Sequence, residues 1–298
     1  MDMIPTLFLY ATLVTGVRES IAHHDMAAAE RQVRAAQSAS GLTPEVAAAV
    51  SWLARGELEA KNYEQAEAFA AEARKDTEQL LAGRGLDSDP WLPIALGASM
   101  EVHAQVLGAC GERGQAVEFL EEQARRFAST ALVERIRKNI NLLSLEGKPA
   151  PGLDLGDWVS AKPLPQAAWR GHPVLLFFWA HWCPDCKSAA PALAAIIREF
   201  APKGLIAIAP TRLYGYVAGG AEAAPDRERA YVAETWRNFY AGWGGVPVVV
   251  SAANFQTYGS STTPTIVLLD ASGTVRFYHP GTVTPADLSA RIQALLGK

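Results

Sequence analysis

Cys183 and Cys186 are separated by two residues, and they stand between an apolar run at 174–178 and a helix-like stretch at 188–200. A disulfide between them closes a small ring where a strand turns into a helix. The first sulfur then lies near the helix N-terminus, where N–H groups and the positive end of the helix dipole stabilise a thiolate. Because the thiolate is the nucleophile of thiol–disulfide exchange, the pattern predicts a reversible redox pair.

A purely structural disulfide and half of a zinc site are the alternatives for this pair. A zinc site takes four ligands in most proteins. The only other cysteine is Cys110, and the six histidines form no pair at ligand spacing. The sequence therefore predicts no metal site and no cofactor.

Strand and helix patterns alternate in the second half of the chain. Continuous apolar runs of this kind are typical of buried parallel strands joined by helices. Residues 265–270 and 274–278 flank a short turn and predict an antiparallel hairpin, and Thr284 with Pro285 predicts the start of a last helix. The result is an α/β/α domain with a mixed sheet. The apolar runs are Val174–Ala180, Leu205–Ala209 and Val246–Val250.

Several separated landmarks give residues 149–298 a family resemblance. The stretch Phe-Trp-Ala-His-Trp-Cys ends at Cys183, Pro191 follows eight residues later, and Thr-Pro-Thr at 263–265 precedes an apolar strand. This half of the chain resembles the TlpA-like group of thioredoxin-fold thiol–disulfide oxidoreductases. The resemblance implies a thioredoxin-like fold and a protein thiol or disulfide as the substrate.

The resemblance also implies roles for individual residues. Cys183 is expected to be the exposed, attacking sulfur and Cys186 the resolving one, with Pro264 in a cis peptide bond beside them. We expect the substrate to be bound by four neighbouring residues, with Trp182 packed beside the sulfurs and covering them. These residues are Trp182, Thr263, Pro184 and Tyr214.

Two acidic residues of the family are replaced. Phe177 stands where thioredoxins carry a buried acid, and Ala189 stands where several TlpA-like relatives carry a glutamate. Release of a mixed disulfide then needs another base or water. His181 and Asp185 are the nearby candidates, although we expect both to be solvated surface residues.

A long connection follows the predicted second strand. Residues 211–225 carry Tyr214, Tyr216 and several glycines, at the edge where α/β sheets place their sites. A substrate-facing flap and an insertion without a role in binding both remain open for this segment.

Residues 1–147 carry apolar positions at helical spacing and almost no strand signal. The stretch 63–73 weakly resembles the second helix of a tetratricopeptide hairpin, and small residues mark two similar places. Their spacings, 37 and 50, depart from the period of about 34 that such repeats show. We therefore predict a helical-hairpin domain over 1–147 and a redox domain over 148–298, joined by a linker at 147–152. The small residues are Ala29, Ala66 and Ala116.

The helical domain has two interpretations. Helical arrays commonly bind other proteins, and a packing lid or a dimerisation module is the alternative. Residues 129–145 are predicted to be its closing helix, and Cys110 is expected to be a buried small apolar residue.

Charge and hydropathy exclude other classes. The net charge is −4 and no basic stripe is present, which argues against nucleic-acid binding. No segment reaches the roughly 18 apolar residues of a membrane span. Residues 3–17 are interpreted as a buried helix, not a signal peptide, and a trimmed leader remains open. The resemblance implies an extracytoplasmic or periplasmic location, while the sequence leaves the cytoplasm open.

The sequence thus predicts a thiol–disulfide oxidoreductase that exchanges disulfides with a protein partner through Cys183 and Cys186. One alternative is an interaction or scaffold protein with a weakly active or vestigial redox domain. A thiol peroxidase is the other alternative, but it needs a Pro-x-x-x-Thr/Ser-x-x-Cys setting that the residues before Cys183 lack.

Overall fold

The computed structural model describes residues 12–297, and the chain divides into two compact units. The first ends at Leu132 and the second begins at Val133. The helix predicted over residues 3–17 falls largely outside the described residues, and the first helix seen begins at Leu13.

The first unit is helical. Between residues 12 and 132 its helices follow one another in three pairs: α1 (Leu13–Ala22) with α2 (Met26–Ser40), α3 (Pro44–Glu59) with α4 (Tyr63–Leu80), and α5 (Trp91–Ala109) with α6 (Arg113–Arg126). The helical character predicted for this region is confirmed.

The turn inside each pair has the same geometry. The central residue of the turn has a positive φ, which is 59° at His24, 63° at Lys61 and 89° at Gly111. The N–H of the next residue donates to the carbonyl five residues back, at 2.8–2.9 Å in all three turns. This is the Schellman arrangement that ends many helices. In each case the fourth residue of the second helix is a fully buried alanine, and the three are Ala29, Ala66 and Ala116.

Cys110 lies in the third of these turns. It is exposed, so the buried position expected from the sequence is wrong. The physical reason is that Cys110 is the C-cap of α5, where the chain leaves the helix at the surface. The exposed residues His23 and Ala60 occupy the equivalent positions.

The second unit contains a five-stranded sheet with the order β3-β2-β1-β4-β5. Strands β1 to β3 are parallel, while β4 is antiparallel to both β1 and β5. The predicted mixed sheet is confirmed. The elements are α7 (Leu132–Ser144), β1 (Val174–Phe178), α8 (Pro184–Phe200), β2 (Ile206–Thr211), α9 (Pro225–Phe239), β3 (Val248–Val250), α10 (Ala252–Tyr258), β4 (Thr265–Leu269), β5 (Val275–Pro280) and α11 (Pro285–Leu296).

Strand β1 is buried on both faces because it lies in the middle of the sheet. Leu175 and Phe177 point into a core that α8, α9 and α11 complete. Leu176 and Phe178 point into a second core that includes residues of α10 and Leu145 at the end of α7. The seven-residue helix α10 was not predicted, because two turns are too short to show a helical pattern of apolar residues.

The segment around the predicted linker is part of the second unit. The backbone of Gly147 and Lys148 pairs with Val275 in β5, and the N–H of Ala150 donates to Gly273. Helix α7, predicted to close the helical domain, belongs to the second unit, where its Glu134 bonds Arg212 at 2.6 Å. The units thus divide before α7, whereas the sequence prediction set the boundary at 147/148. The apolar spacing in the sequence predicts that α7 is a helix, but it does not indicate which core the helix covers.

Gly259 is predicted to be the glycine on which the packing of α7 depends. Its φ is 59°, and a Cβ there would lie 2.3 Å from the Lys138 nitrogen. We expect Gly259→Ala to lower the free energy of unfolding by about 2–5 kcal/mol, because left-handed strain adds to a backbone clash. Urea and thermal unfolding measure the loss.

Gly273→Ala is the matched control for this change. Its φ is 84°, but a Cβ there meets no atom within 4 Å. The control should lose only the conformational part, about 1–2 kcal/mol. Equal losses in the two variants would show that the contact with α7 does not carry the effect.

Candidate functional site

The antiparallel pairing of β1 and β4 brings the two sequence motifs together. Phe178, the last residue of β1, is opposite Thr265, the first residue of β4. The chain leaving β1 therefore reaches Cys183 at the edge of the sheet where the chain enters β4 through Thr263 and Pro264. Strand β2 ends at the same edge, because it runs parallel to β1.

Cys183 and Cys186 form a disulfide at the N-terminus of α8. Cys183 is the N-cap residue, and its sulfur accepts the Cys186 N–H at 3.0 Å. The same sulfur lies 3.4 Å from the carbonyl oxygen of Thr263. The peptide bond between Thr263 and Pro264 is cis, as the resemblance implies. A thiolate on Cys183 would thus be stabilised by an N–H donor and by the helix dipole.

The exposed residue of this turn is Trp182 and not the cysteine. Cys183 is only 1% exposed, so the expectation of an exposed attacking sulfur is wrong, because its side chain faces the Thr263 carbonyl. Trp182 is 45% exposed, and Pro184 is also exposed. Trp182 and Pro184 are therefore accessible at this turn, whereas the Cys183 sulfur is not.

Residues 212–224, here called the aromatic loop, connect β2 to α9. The ring of Tyr214 lies 5.5 Å from that of Trp182, edge to face. The Arg212 guanidinium lies 5.0 Å above the Tyr214 ring. Burial raises the pKa of Tyr214 far above its usual value, so its hydroxyl stays protonated. The structure thereby places Tyr214 beside Trp182.

His181 is buried and not a solvated surface residue, so that expectation is wrong. Its side chain and that of Glu228 are each 1% exposed, and the His181 Nε2 lies 3.0 Å from the Glu228 Oε1. Aromatic rings at 5.3–5.6 Å surround the imidazole on the remaining sides. Three tyrosines supply them, namely Tyr214, Tyr216 and Tyr231. The other candidate base, Asp185, is exposed as expected.

Glu228 is a residue of this site that the sequence did not reveal. It accepts the backbone N–H of Tyr214 at 2.5 Å and that of Gly215 at 2.7 Å. Its position in the first turn of α9 also lets the positive end of that helix stabilise the carboxylate. In the sequence, a glutamate near a helix start is ordinary and gives no sign of burial.

Aromatic packing fixes the position of α9 against β1. Trp179, just after β1, lies 5.3 Å from Trp236 and 4.9 Å from Tyr240, measured between ring centroids. These contacts hold α9 beside the redox turn, and Glu228 lies at the end of α9 that reaches the aromatic loop. Phe177, at the place of the family's acid, packs into the same core.

The burial of His181 lowers its pKa below the ordinary value of 6.5, because desolvation penalises the imidazolium and outweighs the contact with Glu228. The imidazole is therefore neutral at pH 7. Because the Glu228 Oε1 also accepts the Tyr214 N–H, it is the acceptor, and the Nε2–H of His181 donates the hydrogen bond.

This shifted pKa predicts a pH dependence of stability. In the unfolded chain His181 takes up a proton near its ordinary pKa, whereas in the folded chain it does so only at lower pH. The unfolded state then binds more protons, so stability falls as the pH drops below about 6.5. In His181→Gln, an amide still donates to Glu228 but does not titrate. We expect this component of the decline to disappear from urea unfolding measured at pH 7.5 and pH 5.5.

His172→Gln serves as the control, because that histidine is exposed. It should leave the difference between the two pH values unchanged. A decline of the same size in His181→Gln and the wild type would contradict a buried neutral imidazole.

Residues 12–297 lack both a cluster of metal ligands and a helix suited to a membrane. In that part of the chain no group of three His, Cys, Asp or Glu side chains is arranged to hold a metal ion. No helix there has both the length and the apolar composition needed to cross a bilayer.

Comparison with known proteins places the second half of the chain. Residues 162–296 match the family model described as a thioredoxin-like domain. The chain is 28% identical over 149 residues to the thioredoxin-like protein YneN of Bacillus subtilis (strain 168), covering 49% of this chain and 78% of that protein. It is 27% identical over 154 residues to the thiol:disulfide interchange protein DsbE of Pseudomonas fluorescens biotype C, covering 50% and 77%.

Part of the chain is also similar to a solved structure. A thiol:disulfide interchange protein of the thioredoxin family from Chlorobium tepidum TLS superposes with a TM-score of 0.40 at 23% identity. The match covers 50% of this chain and 97% of that one.

Proposed function

We propose that this chain is a thiol–disulfide oxidoreductase in which Cys183 and Cys186 carry out the exchange with a protein partner, in keeping with the match of residues 162–296 to a thioredoxin-like domain. The observation that supports this proposal is the position of their disulfide. It lies at a helix N-terminus, where the Cys183 sulfur accepts a backbone N–H and lies against the Thr263 carbonyl. A scaffold protein with a vestigial redox domain has no need of this arrangement.

The exchange proceeds in two steps, written here in the reducing direction. The Cys183 thiolate attacks one sulfur of the partner's disulfide, which forms a mixed disulfide and releases one partner thiolate to take up a proton. The Cys186 thiolate then attacks the Cys183 sulfur, re-forms the bond between the two cysteines and releases the second partner thiolate. The partner gains two electrons, and the oxidising direction is the reverse.

The substrate is proposed to lie along the exposed side of this turn. The Thr263 and Pro264 segment lies next to the disulfide, and we expect an extended chain to run past it. Trp182, Pro184 and Tyr214 provide apolar contacts next to it. This arrangement suits a polypeptide, because backbone hydrogen bonds and apolar contacts both contribute to binding an extended peptide.

Cysteine variants test the assignment. They are made in Cys110→Ser, because the exposed Cys110 thiol would form adducts of its own. Cys183→Ser should abolish the reduction of insulin by dithiothreitol that the protein catalyses. Cys186→Ser should accumulate mixed disulfides through Cys183, since the resolving thiol is gone. Non-reducing gels and mass spectrometry detect them.

Two outcomes would contradict the proposal. Adducts formed through Cys186 in the Cys183→Ser variant would reverse the roles, and a wild-type protein that does not accelerate insulin reduction would favour the scaffold alternative. The identity of trapped partners also tests location. We propose an extracytoplasmic site of action, because disulfides persist in oxidising compartments, and partners drawn only from the cytoplasm would refute it.

The helical unit is proposed to bind the protein partner or a companion of it. Its support is the array of three helix pairs with equivalent turns, an architecture that presents extended surfaces to other proteins. A tetratricopeptide identity for these pairs remains a prediction.

Fragments test this division of labour. A fragment from Val133 to Lys298 should fold and keep its exchange with insulin, because it retains α7 and the paired segment at 147–150. A fragment that begins at Gly147 should be less stable, because it lacks Leu145 in the core and the hydrogen bond from Arg212 to Glu134. Circular dichroism and thermal unfolding compare the two.

The proposed role of the helical unit requires a further difference. The longer fragment should trap fewer natural partners than the full chain does. An unchanged set of partners would show that the helical unit does not select them.

A further inference from the structure

We propose that Glu228 is a positioning residue for disulfide exchange. It holds the aromatic loop to the redox turn, so that Trp182 and Tyr214 form one surface for a polypeptide substrate. The inference rests on the proposed function and specifies which part of the substrate site depends on a residue outside the cysteine motif.

Glu228 joins segments that are distant in the sequence. Through Oε1 it bonds His181, which lies two residues before Cys183, and the N–H of Tyr214. Through Oε2 it bonds the N–H of Gly215. One carboxylate therefore binds the redox turn and the aromatic loop at once, and it does so from the first turn of α9.

Because Glu228 is buried, its carboxylate depends on these hydrogen bonds for stabilisation. A carboxylate taken out of water is costly unless hydrogen bonds satisfy it. Glu228 is 1% exposed, and its hydrogen-bonding neighbour His181 is neutral, so N–H donors and the helix terminus carry the compensation. Loosening the loop would leave the charge unsatisfied, and the loop is held in one arrangement for that reason.

The surface held in this way is the one next to the disulfide. The Tyr214 backbone is held by Glu228 through its N–H. The ring of the same residue lies against both Trp182 and His181. Trp182 is exposed and precedes Cys183 in the chain. A change in the loop is therefore transmitted to the aromatic surface, while the cysteines keep their own bonds to Thr263 and α8.

Glu228→Gln is the informative variant, because it preserves shape and removes acceptors. An amide has one oxygen, and its NH₂ group would face either an N–H of the loop or the imidazole N–H. The three donors that the carboxylate satisfies cannot all be accepted. We expect the amides of Tyr214 and Gly215 to exchange hydrogen at least about tenfold faster, from the loss of a bond to a charged group.

The kinetic test uses two probes, insulin and bis(2-hydroxyethyl) disulfide. Glu228→Gln should raise KM for insulin about tenfold, the change expected when a bond to a charged group is lost. It should change kcat much less, and the rate with the small disulfide should fall far less than kcat/KM for insulin. The matched control is Glu234→Gln, because Glu234 is exposed on the same helix and should leave both reactions unchanged.

A second variant covers the event that Glu228→Gln does not fold. Glu228→Asp keeps the charge and both oxygens, but its side chain is shorter by one methylene. It should raise KM for insulin and speed the exchange of the Tyr214 and Gly215 amides, each by less than Glu228→Gln does. Equal slowing with both probes, or an unchanged KM with unchanged amide exchange, would overturn the inference alone. A wild-type protein inactive with both probes would overturn the proposed function, and the inference with it.

Discussion

The pairing of β1 with β4 is the constraint on which the site depends. Because the strands are antiparallel and Phe178 is opposite Thr265, the end of one strand and the start of the other lie at one edge of the sheet. A shift of one residue would turn every side chain of β1 to the opposite face. The register is therefore set by two apolar cores at once, and it brings Cys183 next to Thr263.

That edge also explains why a charged group is buried there. Parallel strands end at the same edge, and the long connection after β2 brings loop N–H groups that no strand pairs. Glu228 accepts two of them and the imidazole N–H of His181. The Glu228 carboxylate thus accepts hydrogen bonds from backbone that is no longer paired in the sheet. Its role differs from that of the acid that thioredoxins carry at the place of Phe177.

Much of the second unit was predictable because its signals are local. Apolar runs gave the strands, and Thr284 with Pro285 gave the last helix, whose N-cap bonds the N–H of Asp287. Burial at the redox turn was not predictable. His181 and Cys183 lie in a short stretch in which Trp182 is exposed. Which of these side chains points inward depends on α9 and on the segment before β4, which are far away in the sequence.

The first unit shows a further reason why sequence spacing misleads. The alanines of its three pairs are 37 and 50 residues apart, which a search for a fixed period would reject. The structure keeps the turn constant instead: a residue of positive φ, a bond to the carbonyl five residues back, and an alanine at the fourth position of the next helix. The longer second spacing reflects the connection at 81–90 and the greater lengths of α4 and α5, all of which lie outside the turn. Because the close approach of two helices depends on the turn and the small residue, the repeat survives a change of length elsewhere. Because the turn requires a residue of positive φ, Lys61 takes a conformation that Gly111 adopts without strain.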